Sequence, residues 1–117
     1  MMTNDDSAKV ASEAVQYYVI GESSLIPDGE RLVVDIDGRG IAIFNVNGTF
    51  YAIGDECTHD EGSLGEGQLD GFVITCPRHG ACYDIRSGAA LSLPAVFETP
   101  VYPVRVKDGN IEIGIPR

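Results

Sequence analysis

Cationic side chains, histidine, cysteine and long apolar runs are all scarce in this 117-residue chain, and each scarcity removes a class of function. Eight Lys and Arg stand against eighteen Asp and Glu, a formal charge of −10. Phosphate backbones and anionic membrane surfaces repel such a protein, so nucleic acid and membrane are excluded as partners. A basic protein partner fits instead, with attraction that speeds encounter more than it tightens the complex. Three cysteines form no even disulfide framework, which fits a reducing compartment. No apolar run is long enough to cross a bilayer, and the polar segment Met1–Ala14 has no apolar stretch of the signal-peptide kind. Residues 1–14 are expected to be a mobile tail on a cytoplasmic protein, ahead of one small domain over residues 15–117. No stretch carries a convincing helical period, so that domain is expected to be all-β.

What is present is period-two alternation. Val15–Ile20 reads as a first strand, and Arg31–Ile36 and Ile41–Val46 flank a turn at Asp37-Gly38-Arg39-Gly40. Asn47-Gly48 turns Ile41–Val46 back into Thr49–Ile53, the strongest short hairpin signal in the chain. That turn also outweighs the formal glycosylation match of Asn47-Gly48-Thr49. Phe72–Thr75 and Cys82–Ile85 bracket the second Cys/His loop, and Val101–Lys107 pairs with Asn110–Ile115 across Asp108-Gly109. Val104 and Val106 are expected to face the core with Ile111 and Ile113. Short strands with Gly- and Asn/Asp-rich turns predict an antiparallel sandwich or barrel. Between about residues 54 and 95 the pattern loosens around seven glycines, which predicts a small loop-built lobe inserted into the scaffold.

That lobe contains Cys57-Thr58-His59 and Cys76-Pro77-Arg78-His79, and so both histidines of the chain. Each short loop offers one thiolate and one imidazole, so Cys57, His59, Cys76 and His79 can close on one metal centre from opposite sides. Two sulfurs and two nitrogens suit a tetrahedral zinc or a [2Fe–2S] cluster with histidines on one iron. Pro77 fixes φ after Cys76, and Gly62, Gly65, Gly67 and Gly80 let backbone N–H groups approach a negatively charged centre. Zinc fingers usually keep both cysteines in one half and both histidines in the other, whereas here each half is mixed. Asp55, Glu56, Asp60, Glu61 and Glu66 crowd the first loop and read as exposed charge rather than acid–base machinery. Cys82 is expected to be a small buried hydrophobe with no ligand role.

The paired motifs Cys57-Thr58-His59 and Cys76-Pro77-Arg78-His79-Gly80 resemble the Rieske iron–sulfur signature, and the resemblance runs from about Val15 to Ile115. It is nearest to the small Rieske-type ferredoxins of multicomponent bacterial aromatic-ring dioxygenases. The resemblance implies a Rieske fold, two antiparallel sheets and a third small sheet that forms the cluster-binding lobe. It implies one [2Fe–2S] cluster per chain, with Cys57 and Cys76 on one iron and His59 and His79 on the other. Pro94 resembles the proline loop that shields the cluster. Respiratory Rieske domains add a disulfide between the loops, but Gly62 and Arg78 occupy those places. They also carry a serine where this chain has Ala81. Both absences imply a potential toward the lower end of the roughly −150 to +300 mV Rieske span. Tyr83 either donates its hydroxyl toward Cys57, which would raise the potential, or reaches solvent or backbone.

An oxygenase needs a second iron held by two histidines and a carboxylate, and both histidines are already committed. The absence of a spare histidine also excludes a Ser-His-Asp set, and no phosphate-binding glycine loop opens a helix. The expected function is therefore non-enzymatic: a soluble one-electron carrier between a flavin-dependent ferredoxin reductase and a terminal Rieske oxygenase. Two alternatives are the small Rieske-like subunit of an assimilatory nitrite reductase and a zinc-stabilised binding module.

Overall fold

The computed structural model of the chain describes residues 14–55, 63–77, 80–93 and 98–117. Its strands are β1 (Val15–Glu22), β2 (Arg31–Ile36), β3 (Arg39–Val46), β4 (Thr49–Gly54), β5 (Gln68–Asp70), β6 (Val73–Thr75), β7 (Cys82–Asp84), β8 (Val101–Tyr102), β9 (Val104–Lys107) and β10 (Asn110–Pro116). Two single-turn 3-10 segments, η1 (Ser23–Leu25) and η2 (Leu64–Glu66), are the helical elements among the described residues. None of the described helical segments is long and apolar enough to cross a membrane.

The strands form three antiparallel sheets: sheet A with order β1-β10-β9, sheet B with order β2-β3-β4-β8, and sheet C with order β5-β6-β7. This is the fold that the sequence pattern and the resemblance predict. Three hairpins close on two-residue turns, Asp37-Gly38, Asn47-Gly48 and Asp108-Gly109, with φ positive at both residues of each. Such turns match the right-handed twist of the strands they join. The first is tighter than expected, because Arg39 and Gly40 already pair with Ile36 and Asp35.

Sheet B is the middle layer. Ile41, Ile43 and Ala52 on one face pack with Ile111, Ile113 and Ile115 of sheet A, all 0–2% exposed. Ala42, Phe44 and Ile53 on the other face pack with Leu64, Ile74 and Tyr83 of the lobe. Burial on both faces explains why Ile41–Phe44 is a continuous apolar run instead of an alternating one. Each fully buried Ile stabilises the fold by about 1.5–3 kcal/mol, so the two layers are held mainly by this one strand and its neighbours.

Three expectations change. Val101–Lys107 is not one strand: β8 pairs with β4 in sheet B, β9 pairs with β10 in sheet A, and the chain changes sheet at Pro103. Proline has no N–H for a ladder, and its carbonyl instead accepts from Gly114 N at 2.8 Å. Val104 packs on the core as expected, but Val106 is half exposed, beside a turn on the edge strand β9. Strand β5 is unexpected, because Leu69 is its sole apolar residue.

Candidate metal centre

Cys76 follows β6, and Ile74 within that strand pairs with Tyr83 of the neighbouring β7, both buried in the lobe core. Two backbone hydrogen bonds close the segment after it: Cys76 N donates to Ala81 O at 2.7 Å, and Gly80 N donates to Cys76 O at 3.1 Å. Pro77 supplies the restrained φ this turn needs, and Gly80 sits at φ 75°. The Cys76 side chain is 1% exposed. A groove lined by Arg31, Glu66, Gln68 and Thr75 runs up to it.

The first loop is described at its two ends. Asp55 N donates to Gly40 O at 3.0 Å, which extends the β3–β4 ladder by one step. Leu64 N donates to Asp55 O, so the chain leaves the loop beside the point where it enters. The Asp55 carboxylate accepts from Ser63 Oγ and from Gly65 N, both at 2.7 Å. Two residues on, Gly67 lies against the Thr75 carbonyl so closely that a Cβ would collide with it. The way out of the first loop therefore meets the way into the second, next to Cys76.

The lobe is tied to sheet B at three more places. Arg31 Nη1 donates to the Gly65 and Gly67 carbonyls, with its guanidinium over the Phe44 ring. Buried Thr99 donates from Oγ1 to Gly54 O at 3.2 Å and from N to Gly88 O at 2.8 Å, joining the end of β4 to the turn after β7. On the outer flank, Arg86 lies 4.2 Å from the Phe72 centroid, and Phe72 meets Tyr51 of β4 edge-on at 5.8 Å. Arg86 also grips the Asp84 carboxylate through Nε and Nη2 at 3.1 and 2.9 Å. This hydrogen bonding holds the Asp84 carboxyl below the ordinary carboxylate range, against the opposing effect of partial desolvation.

Of the four sequence-predicted ligands, Cys76 is described, whereas Cys57, His59 and His79 lie outside the described residues. So do Glu56, Asp60, Glu61, Gly62, Arg78 and Pro94. Ala81 is fully buried and brings no hydroxyl to the site. Tyr83 is also fully buried, which removes a solvent partner from the readings of its hydroxyl. Cys82 departs from expectation: β7 alternates, turning Tyr83 inward and leaving Cys82 half-buried. Its Sγ lies 3.5 Å from both Thr75 Oγ1 and Gly80 O. Asp55 differs as well, since its carboxylate is occupied by the loop and is not an exposed charge. Sequence reasoning missed Arg31 and Thr99 as lobe anchors because they act between segments far apart in the chain, and Asp55 because it stands among like acidic residues.

A buried cysteine beside a hydrogen-bonded turn, with the exit of the first loop held next to it, fits a sulfur-ligated cluster. Residues 16–103 match the Rieske [2Fe-2S] domain family, and the chain belongs to it; the family's cofactor is a Rieske-type [2Fe–2S] cluster. The chain is 45% identical over 92 residues to the ferredoxin subunit of 3-phenylpropionate/cinnamic acid dioxygenase from Escherichia coli K12, covering 78% of this chain and 86% of that one. It superposes with a TM-score of 0.79, at 35% identity, on a chain from the complex of reduced oxygenase and oxidized ferredoxin in carbazole 1,9a-dioxygenase, covering 83% and 91% of the two chains. The ferredoxin of carbazole 1,9a-dioxygenase from Nocardioides aromaticivorans IC177 superposes with a TM-score of 0.82 at 27% identity, covering 87% and 99%. These relatives are electron-transfer components of dioxygenase systems, and the chain is a ferredoxin of that kind, not a catalytic subunit.

Proposed function

We propose that Cys57 and Cys76 hold one iron by sulfur and His59 and His79 hold the other by ring nitrogen. In this reading the protein passes single electrons from a flavin-containing reductase to the Rieske centre of a terminal aromatic-ring dioxygenase, in the cytoplasm. Residues 15–117 form the Rieske domain in this reading, with about 54–95 as its cluster-binding lobe; of the segment 1–14 ahead of it, residues 1–13 lie outside the described residues. The observation that supports this reading is the contact of Gly67 with Thr75 beside the buried Cys76, between the exit of the first loop and the entrance of the second. When bound, the cluster takes up and releases one electron at a time. The protein's part is to bury the Cys76 sulfur and to hold the ends of the loops by backbone hydrogen bonds.

Iron and acid-labile sulfide analysis of natively folded protein, with a reduced-state electron spin spectrum, tests the ligand set. A colourless, zinc-replete sample would overturn it. His59→Cys and His79→Cys are expected to lower the midpoint potential or lose the cluster. Reconstituted turnover with a flavin reductase and a ring dioxygenase tests the partners, and copurification with a sirohaem protein would favour nitrite reduction instead. With a charge of −10, reduction by the reductase is expected to slow as salt is raised from low to physiological strength. A salt-independent rate contradicts the electrostatic part.

A further inference from the structure

Asp55 is the last described residue before the loop of residues 56–62, and Ser63 is the first after it. Three hydrogen bonds join these two ends: Leu64 N to Asp55 O, Ser63 Oγ to Asp55 Oδ2 and Gly65 N to Asp55 Oδ1. The acceptor is itself fixed, because Asp55 N is tied to Gly40 O of β3. Gly65 approaches this closely because it has no side chain; a Cβ there would stand 3.0 Å from Asp55 Oδ1 and collide with Val33. From the other side, Arg31 donates to the carbonyls of Gly65 and Gly67. The short segment η2 is thus gripped by a carboxylate at its start and a guanidinium at its end. Its last neighbour, Gly67, bears on Thr75, one residue before Cys76.

Closing a loop costs chain entropy, and ligands that are pre-placed bind metal more tightly than ligands that must be gathered. We propose that Asp55 is the positioning residue of the metal centre: by joining both ends of the first ligand loop and anchoring η2, its carboxylate presets the spacing between the two ligand loops. This rests on the ligand set proposed above, and it adds that cluster retention and cluster geometry depend on a residue that touches neither iron nor sulfide. The hydrogen bonds of Asp55, and not its charge, carry the effect.

Three variants of the full chain test this. Asp55→Ala is expected to shorten the half-life of the visible absorbance under mild heating or chelator by about ten- to a hundredfold, the cost of losing a ligand-orienting partner. Its reduced-state electron spin g-values should shift, while the far-ultraviolet β signal persists. Ser63→Ala, which removes one of the two carboxylate contacts, should give a smaller change in the same direction. Asp55→Asn keeps an acceptor for Gly65 N–H and offers donors to Ser63 Oγ, so it should retain the wild-type g-values and half-life. Wild-type behaviour in both alanine variants overturns the proposal, and so does an asparagine variant as impaired as alanine, since charge would then be the cause. If Asp55→Ala fails to fold, Ser63→Ala and Asp55→Asn still decide. Wild-type protein without iron or sulfide would instead sink the ligand set itself.

Discussion

The two faces of sheet B hold their neighbours by different means. Toward sheet A, Ile41, Ile43 and Ala52 meet a row of Ile111, Ile113 and Ile115, backed by a seven-pair ladder between β1 and β10. Toward the lobe, Ala42, Phe44 and Ile53 meet strands of three residues each, too short to hold a sheet on their own. There a buried apolar cluster is supplemented by placed contacts: the Asp55 carboxylate, the Arg31 guanidinium, the Thr99 hydroxyl and the stack of Arg86, Phe72 and Tyr51. The body is stable through area and a long ladder, and the lobe through area, short ladders and a few placed groups. A metal-binding lobe suits this division. Its loops must take a particular geometry instead of the one that buries most surface, and the shape is imposed by anchors on a rigid body.

Substitutions on either side of sheet B can break or sharpen that contrast. The largest effect is expected from Ile113→Ala and Leu64→Ala, each fully buried, each costing about 2–5 kcal/mol of unfolding free energy by denaturant titration. They should differ in the cluster: Ile113→Ala should leave its spectrum unchanged, while Leu64→Ala should speed its loss. Equal cluster lifetimes in the two would dissolve the distinction. Next is Tyr83→Phe, which removes one buried hydrogen bond at a net cost of about 0.5–1.5 kcal/mol. Voltammetry should show a lower midpoint if the hydroxyl donates toward Cys57, and an unchanged midpoint would assign it a backbone partner.

The smallest effect is expected at Asp84. Its carboxyl is held below its ordinary range by the Arg86 hydrogen bonds, so the folded form binds its proton less readily than the unfolded chain. The stability this supplies is complete above the unfolded carboxylate pKa and is lost as pH falls through the lower folded value. An exposed bidentate pair is worth less than about 1 kcal/mol. Asp84→Asn should therefore remove a shallow slope from the acid limb of the stability curve and change nothing at neutral pH in the midpoint potential. A steeper loss would make this flank more than a surface latch.

Much of the body was legible because its signals are local. Positive-φ turns at Asn47-Gly48 and Asp108-Gly109 and the alternation of β10 can be read within a few residues. The family was legible as well, since Cys57-Thr58-His59 and Cys76-Pro77-Arg78-His79 are contiguous and chemically specific. Strand β5 was not, because three residues with one leucine carry no period. Nor was the division at Pro103, where the pattern stays strand-like on both sides and the partner changes. The role of Asp55 was hidden among its acidic neighbours: Asp55, Glu56, Asp60 and Glu61 look alike until the fold shows which carboxylate meets a backbone N–H.

From its sequence alone this chain was bound to be a small acidic all-β protein with two Cys/His loops, because turn chemistry, apolar period and ligand type are properties of neighbours along the chain. Only the tertiary structure decided that sheet B serves two cores, that Cys82 stays half-buried, and that one aspartate, one arginine and one threonine fasten the lobe. The first two depend on which segments pack against each face, and the fastenings on which backbone groups come within about 3 Å of a side chain, the reach of a hydrogen bond. No local pattern encodes that distance.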